Sequence, residues 1–316
     1  MTGTPEERFR EIVFAHAIRE EQRLRETKLL AHYTTAENAL NILNSGEFWL
    51  RQASLMNDLR EVELGKQCVD AALSTSGGKQ LGLHLNSVFP GLWEELTGHF
   101  TEMLSDARST TFLASLCEHD PTDLMGTLSM WRAYGGKAGV AILIDPKVAF
   151  ADDGVQLGVA TSPAVYGEPQ FFAEFGEFVS RIILNISFLA QMPRDMVKDE
   201  IFTAMQFAAL STKHLGFQEE REWRIVHLPK EMRDDYIALR THSIGGIPQI
   251  VAPLPLCSRN SEPFPYTLDQ SIYRVIVGPS PYALEIAQAF TLRMGQLGFT
   301  NPSSRVFFSN IPLRQG

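Results

Sequence analysis

Two alternating patterns of hydrophobic and polar residues divide an early part of the chain into strands and a helix. Residues 29–35 (LLAHYTT) and 47–54 (EFWLRQAS) have the composition of strands, and residues 36–46 (AENALNILNSG) have the apolar spacing of a helix. Thr34 and Glu37 have capping-box spacing, and Gly46 is placed to end the helix in a left-handed conformation. The pattern predicts a strand, a short helix and a second strand in close succession.

The segment before this unit has the pattern of one amphipathic helix. Thr4 can cap the helix, Pro5 suits its first position and Glu7 suits the capping-box position. Apolar residues are sparse here among many Arg and Glu. We therefore expect a single helix over residues 1–28 that packs on the body of the protein along one stripe.

Strands and helices follow one another through the rest of the chain, with no internal repeat, low-complexity tract or clear linker. Strands are predicted at 110–118, 139–145, 220–228, 271–279 and 304–310, and helices at 57–73, 91–105, 170–190, 195–214 and 282–299. We therefore predict a single α+β domain over residues 29–316, with a helical insertion at about 168–214.

Composition restricts the class of protein without indicating a function. Hydrophobic residues make up 44% and charged residues 21% of the 316 positions, as in ordinary globular proteins. The chain has no apolar run of the roughly 18 to 20 residues that cross a bilayer, and no basic region followed by an apolar one at its start. We expect a cytoplasmic protein without a membrane partner. The net charge of −9 argues against a wholly basic surface but is compatible with a local basic groove.

The stretch EREWR places carboxylates and guanidinium groups close together on a predicted strand. Because a strand alternates its faces, Glu220, Glu222 and Arg224 are expected on one face, and Arg221 and Trp223 on the other. Trp223 is a natural core anchor. A carboxylate beside Arg stays ionised and fixed in direction, which suits cleavage of a glycosidic bond through an oxocarbenium-like state. The alternative is an exposed ladder of salt bridges.

Two further stretches carry candidate binding residues. In AHYTT, His32 and Thr34 share a face and can present a ring nitrogen and a hydroxyl to a ribose or an amide; the alternative for His32 is a hydrogen-bonded core histidine. In MWRAYGG, Trp131 and Tyr134 precede two glycines and can stack on a flat ring. The eight histidines form no HxH or HxxxH pair and the three cysteines form no CxxC pair, so no metal site is indicated.

Several motifs together resemble a widespread prokaryotic family of uncharacterised domains. The motifs are HYT with NILNSGEFWL, the MND turn, MWRAYG before GVAILI, EREWR, and the closing VIVGP and SNIP, over about residues 29–312. Leu59 stands where the family usually has Pro after Asn-Asp. That family in turn resembles ADP-ribosyltransferases of the His-Tyr-Glu type, which include poly-ADP-ribose polymerases and DarT-like toxins. The resemblance implies a split β-sheet core and NAD⁺ as substrate, without a metal.

The resemblance also implies roles for individual residues. His32 and Thr34 would hold the nicotinamide ribose and amide, Tyr134 would stack on the nicotinamide, and Glu222 would bind the ribose 2′-hydroxyl and stabilise the cationic transition state. Catalysis is thus expected from Glu222, His32 and Tyr134. The NAD⁺-binding set is completed by the following residues: Tyr33, Arg51, Asn57, Asp58, Trp131 and Glu220. Asn57 and Asp58 are equally suited to cap the helix that follows them. We expect His32 and Glu222 to face each other across one pocket.

The resemblance therefore predicts an NAD-dependent ADP-ribosyltransferase that acts as a bacterial toxin or an anti-phage effector. The acceptor is expected to be a nucleic-acid base, in RNA or DNA, or a protein side chain, with an antitoxin as a further partner. One alternative is a non-catalytic nucleotide-binding module of the same fold. A second is an NAD glycohydrolase, and a third is phosphate transfer from RNA.

Overall fold

A computed structural model describes residues 4–55, 59–150, 158–229, 237–244, 246–258 and 265–312. The chain divides into two compact units. The helical unit comprises residues 1–22, 52–111 and 162–221, and the sheet unit comprises residues 23–51, 112–161 and 222–316. Among the described residues, no helix is both long enough and apolar enough to cross a bilayer.

The elements are mixed α and β, as predicted. The described α-helices are α1 (Pro5–Val13), α2 (Ala15–Thr27), α3 (Ala36–Ser45), α4 (Leu59–Ser74), α5 (Ser76–Val88), α6 (Leu92–Thr110), α7 (Leu128–Tyr134), α8 (Pro146–Phe150), α9 (Gly167–Leu184), α10 (Ile186–Leu189), α11 (Arg194–Leu210), α12 (Leu268–Ser271) and α13 (Ala283–Gln296). Short 3₁₀ helices lie at Ala53–Leu55, Leu215–Glu220 and Pro302–Ser304.

The described strands include a hairpin, β9–β10, that the sequence pattern did not predict. They are β1 (Leu29–Thr35), β2 (Glu47–Gln52), β3 (Phe112–His119), β4 (Gly139–Ile144), β5 (Ala160–Pro163), β6 (Val165–Tyr166), β7 (Thr212–Lys213), β8 (Glu222–His227), β9 (Arg240–Ile244), β10 (Ile247–Pro255), β11 (Ile272–Val277) and β12 (Val306–Phe308).

The helical unit is held together by an apolar core between its helices. Phe9 of α1, Leu85 of α5, Phe100 of α6, Ile182 of α9 and Ile201 of α11 are all fully buried there. Each such side chain contributes about 1.5–3 kcal/mol by leaving water. The Thr4 capping box forms as predicted. The predicted single N-terminal helix is instead two, because the chain leaves helical geometry at Phe14 (φ −105°, ψ 24°).

The sheet unit contains a mixed sheet, largely antiparallel but with the parallel pair β11–β12, and an apolar core on each face. Its strands run in the order β12-β11-β4-β1-β3-β2-β10-β9, and β8 pairs with both β3 and β5. One face buries Leu30 and Trp223, and the opposite face buries Ala31 and Trp131. The sheet is therefore covered on both faces, which explains the near-continuous apolar runs in β3 and β4.

The ladder forks at β3. On one edge of β3, β8 pairs with Phe112–Cys117, and on the opposite edge β1 pairs with residues 117–119. Since β2 is also hydrogen-bonded to β3, it must occupy the rest of the edge that β1 uses. The strands β1 and β2 thus leave the same edge of β3, and α3 connects them.

Candidate functional site

Glu222 begins β8 and is held as a buried carboxylate. Ser115 Oγ and Arg224 Nε each donate a hydrogen bond of 2.7 Å to Glu222 Oε1. The register explains the contacts, because Arg224 lies opposite Ser115 and Glu222 lies opposite Cys117, which places all four side chains on one face. Glu222 is 3% and Arg224 is 2% exposed, so the predicted alternative of an exposed ladder of salt bridges is wrong. Charge-assisted bonds of this kind fix the direction of the carboxylate.

Glu220 does not belong to this row, contrary to prediction. It ends the 3₁₀ helix Leu215–Glu220, and its Oε2 accepts a hydrogen bond of 2.7 Å from Lys213 Nζ. Arg221 follows in the left-handed region (φ 43°, ψ 54°) and turns the chain into β8. The alternation of a strand therefore begins at Glu222. Trp223 is the buried core anchor that we predicted.

His32 lies on β1 where the sheet forks. Its Nδ1 is 3.4 Å from the carbonyl oxygen of Ser115, and its ring meets the ring of Phe48 edge-on at 4.6 Å. A carbonyl oxygen can only accept, so the proton belongs on Nδ1 and the Nε2 lone pair is the acceptor. Burial lowers the pKa of His32 to about 4, and the bond to Ser115 opposes that shift. The imidazole is therefore neutral at physiological pH.

His32 and Glu222 do not face each other across the sheet. Ala31 lies opposite Cys117, and Cys117 lies opposite Glu222, so Ala31 and Glu222 share a face and His32 alternates to the other. The two side chains are linked at Ser115, whose carbonyl contacts His32 and whose hydroxyl contacts Glu222. The prediction that His32 and Glu222 face each other across one pocket is therefore wrong; the two side chains instead meet Ser115 from opposite faces where the sheet forks.

Thr34 and Arg51 are both engaged with neighbouring side chains. Thr34 is buried, and its Oγ1 accepts a hydrogen bond of 3.2 Å from Asn38 Nδ2. The cap of α3 is Thr35, not Thr34 as predicted, because Thr35 Oγ1 accepts from the Asn38 backbone. Arg51 Nε donates a hydrogen bond of 2.9 Å to Gln249 Oε1. Thr34 lies on the same face of β1 as His32, as predicted, because the two residues are two positions apart on the strand.

Trp131 and Tyr33 are packing residues, which differs from their predicted role in stacking and binding. Trp131 is 2% and Tyr33 is 5% exposed, and their ring centroids are 4.8 Å apart. The Trp131 indole donates to the Met125 carbonyl at 2.9 Å, and the Tyr33 hydroxyl accepts from the Thr127 backbone at 3.0 Å. A ligand ring has no open face of Trp131 to stack on.

Tyr134 is exposed to solvent, unlike Trp131 on the same helix, α7. It ends that helix and is 39% exposed, so its ring is accessible to a ligand. Asn57 and Asp58 lie outside the described residues, so the structure does not address their predicted role.

Ser115 was not predicted from the sequence. The run TTFLASLCE has the composition of a buried strand, and a serine within it carries no motif. The available signal was a polar residue on the face opposite to the apolar positions Ala114 and Leu116. Within the part of the chain that the structure describes, no group of three or more His, Cys, Asp or Glu side chains is placed to hold a metal ion.

Comparison with known proteins gives one match. The profile of a family described as "Protein of unknown function (DUF2971)" matches residues 130–225. No curated protein and no solved structure matches the chain. The matched segment includes Tyr134, Glu222 and Arg224 but neither His32 nor Ser115. Residues 130–225 thus carry a domain similar to that uncharacterised family.

Proposed function

We propose that this protein is an NAD-dependent ADP-ribosyltransferase in which Glu222 is the catalytic carboxylate. The observation that carries the proposal is the fixed carboxylate of Glu222 at a forked sheet, joined through Ser115 to a neutral histidine. A fork in the ladder is the arrangement that a split-sheet transferase fold requires. The resemblance of the HYT, MWRAYG and EREWR motifs to His-Tyr-Glu transferases supports the same conclusion.

The chemistry follows from the charges. In NAD⁺ the bond between ribose C1′ and the nicotinamide nitrogen breaks, the bonding electrons leave with nicotinamide, and positive charge develops on the ribose. The Glu222 carboxylate, aimed by Ser115 and Arg224, stabilises that charge and accepts a hydrogen bond from a ribose hydroxyl. A nucleophilic atom of the acceptor then bonds to C1′ and loses its proton.

The neutral state of His32 suits this reaction. A protonated imidazole near the ribose would repel the developing cation, whereas the neutral ring can accept a hydrogen bond from a ribose hydroxyl at Nε2. Burial lowers the pKa of His32 to about 4, so the ring stays neutral throughout the physiological pH range.

Access to Glu222 places one requirement on the proposal. Because Glu222 is 3% exposed, NAD⁺ can reach the carboxylate only if binding opens the sheet unit beside it. Opening between β1 and β2 would expose both sides of Ser115. Hydrogen exchange at the β3 amides is therefore expected to change when NAD⁺ is added.

The acceptor is proposed to be a nucleic-acid base, with a protein side chain as the next candidate. In bacteria, transferases of this type are often toxins or phage-defence effectors, which an antitoxin holds inactive, and we extend that setting to this chain. Incubation with labelled NAD⁺ and separate pools of DNA, RNA and cellular protein identifies the pool that takes the label. Free ADP-ribose without a labelled acceptor would instead indicate NAD⁺ hydrolysis.

The Glu222→Gln variant tests the proposal directly. It keeps the side-chain volume but removes the charge, and we expect it to lower the rate on the order of 10²- to 10³-fold. Glu118→Gln is the matched control, because Glu118 is a carboxylate on the other face that accepts from the Trp223 indole at 3.1 Å. Transfer at the full rate by a folded Glu222→Gln protein would show that the carboxylate has no catalytic role.

One observation favours a second candidate, a non-catalytic nucleotide-binding module. The Glu222–Arg224 pair is closed off from solvent and His32 lies on the opposite face, so the pair can stabilise the fold as an ion pair without taking part in catalysis. Titration of the purified protein with NAD⁺ separates the two candidates. Binding without release of nicotinamide and without transfer would establish the module.

A further inference from the structure

The helical unit contains an apolar cavity of about 150 Å³. Side chains of α1, α2, α4, α9 and α11 line it, and most are aromatic or aliphatic. Phe14, Phe171, Phe175, Phe178 and Phe207 form much of the wall. A cavity of this volume and lining holds a molecule about the size of benzene.

Three of the polar side chains that line the cavity carry hydrogen-bonding atoms without a partner among the described residues. His16 Nε2, Glu174 Oε2 and Ser211 Oγ are all buried and have no partner among the described residues. Ser211 is 2% exposed, so water in the bulk solvent does not reach its hydroxyl. Buried polar atoms are nearly always paired in folded proteins, because an unpaired one loses its hydration without compensation. A cluster of three beside one cavity points to a ligand that pairs with them.

The contacts of His16 indicate which hydrogen-bonding groups the ligand needs. Arg19 Nη2 lies 3.1 Å from His16 Nδ1, and a guanidinium nitrogen can only donate, so this contact favours the tautomer with the proton on Nε2. His16 Nδ1 also lies 3.1 Å from Glu174 Oε1, and Arg19 Nη2 lies 3.7 Å from that same oxygen. In this tautomer His16 Nε2 is a donor without an acceptor, and Glu174 Oε2 is an acceptor without a donor among the described residues; both side chains line the cavity.

The ligand therefore needs an acceptor for His16 Nε2 and a donor for Glu174 Oε2. A hydroxyl group provides both, since its oxygen accepts from Nε2 and its proton is donated to Oε2. A carboxylate ligand would instead bring negative charge against Glu174, and Arg181, which also lines the cavity, already donates to the Ile12 carbonyl and to Glu177. A purely apolar ligand would leave all three polar atoms unpaired. The apolar walls select the body of the ligand, and the polar atoms select its head group.

We propose that this cavity is a binding site for a small aromatic alcohol of phenol size, with its ring among the phenylalanines and its hydroxyl between His16 and Glu174. The proposal is independent of the function proposed above, because every residue that lines the cavity belongs to the helical unit. Ser211 can supply a second hydrogen bond to the same hydroxyl.

Three probes of similar size test the site on the full-length protein: phenol, toluene and benzoate. We expect isothermal titration calorimetry to show that phenol binds, that toluene binds at least about 10-fold more weakly because it leaves the polar atoms unpaired, and that benzoate does not bind. Equal affinity for phenol and toluene, or tighter binding of benzoate, would overturn the assignment of the head group. Absence of phenol binding would overturn the site.

Two variants locate the binding. Glu174→Gln should weaken phenol binding at least about 10-fold while leaving toluene binding nearly unchanged, because the apolar wall is intact. Ala208→Phe should fill the cavity and abolish binding of both probes. If either variant fails to fold, Ser211→Ala provides the second measurement, and an unchanged preference for phenol over toluene in both Ser211→Ala and Glu174→Gln would contradict the proposal.

Discussion

His32 and Glu222 contact the same residue, Ser115, from opposite faces of the sheet. The carbonyl oxygen of Ser115 is 3.4 Å from His32 Nδ1, and its hydroxyl donates at 2.7 Å to Glu222 Oε1. A change at Ser115 therefore affects the carboxylate through its side chain and the imidazole through its backbone. The two contacts can be separated by mutation, because substitution of the side chain leaves the carbonyl in place.

Replacing Ser115 with Ala should lower the transfer rate about 10- to 100-fold, because the carboxylate loses one of the two bonds that aim it. Initial rates with labelled NAD⁺ provide the measurement. Cys117→Ala is a suitable control, since Cys117 lies on the same strand and the same face, opposite Glu222. Equal losses in the two variants would show that packing, not the hydroxyl, is responsible.

Breaking the buried pair of Glu222 and Arg224 should destabilise the protein strongly. Arg224→Met leaves a buried carboxylate without its guanidinium, and we expect a loss of about 3–5 kcal/mol in the free energy of unfolding. The double variant Glu222→Leu with Arg224→Met should lose clearly less, because no buried charge remains. Urea unfolding of the single and double variants measures the coupling. Additive losses would mean that the pair is not a coupled unit.

The depressed pKa of His32 predicts a specific dependence of stability on pH. An unfolded histidine takes up a proton below about pH 6.5, whereas the folded ring does so only near pH 4. Stability should therefore fall as the pH drops from 6.5 to 4 and should be independent of this group above 7. The shift corresponds to a loss on the order of 3 kcal/mol.

Urea unfolding at several pH values between 4 and 7.5 tests this dependence, with His32→Gln as the comparison. The variant cannot be protonated at this position, so the difference in unfolding free energy between wild type and variant should change with pH over that window. A constant difference would show that His32 is protonated equally in both states.

Arg221 should tolerate glycine better than a branched residue. It has a φ of 43° between the 3₁₀ helix and β8, a conformation that costs a residue with a Cβ atom roughly 1–2 kcal/mol. Arg221→Gly is expected to be close to neutral in thermal unfolding, because relief of strain offsets the greater freedom of the unfolded chain. Arg221→Val should destabilise by more than 1 kcal/mol on the same estimate. Equal stability of the two variants would contradict this assignment.

Gly278 and Gly98 form a matched pair for testing the packing of Trp131. A Cβ atom at Gly278 would lie 2.7 Å from Trp131 Cε3, whereas a Cβ atom at Gly98 meets nothing within 4 Å. Gly278→Ala should cost about 1–3 kcal/mol by forcing the indole to move. Gly98→Ala, in α6, should be neutral or stabilise by up to about 1 kcal/mol. Similar changes in stability for the two variants would mean that the Trp131 indole can shift to accommodate the added Cβ atom at little cost.

Local patterns predicted the elements well where the sequence carries a specific signal. The β1–α3–β2 unit forms as predicted, and Gly46 ends α3 in the left-handed conformation at φ 59°. Trp223 is buried because it is a large apolar residue in an otherwise charged stretch. These features depend on residues close in sequence, whose conformational preferences are strong.

Other features depend on contacts between distant segments or on a single unusual residue. Glu220 left the predicted row because Arg221 adopts a positive φ, which an arginine does not signal in the sequence. The separation of His32 and Glu222 onto two faces follows from the register of β1, β3 and β8, which no local pattern encodes. The role of Ser115 as a hydrogen-bond donor to Glu222 also follows from that register.

Neither of the two compact units can be produced as a single continuous fragment of the chain. Each unit is assembled from three separated stretches, so no single cut in the polypeptide releases either one intact. A fragment limited to residues 130–225 would contain only residues 222–225 of β8, without its ladder partner β3, and β4 without β1. Such a fragment would expose unpaired strand edges and aggregate, so truncation mapping would mislead, and point substitutions in the intact chain are the appropriate tool.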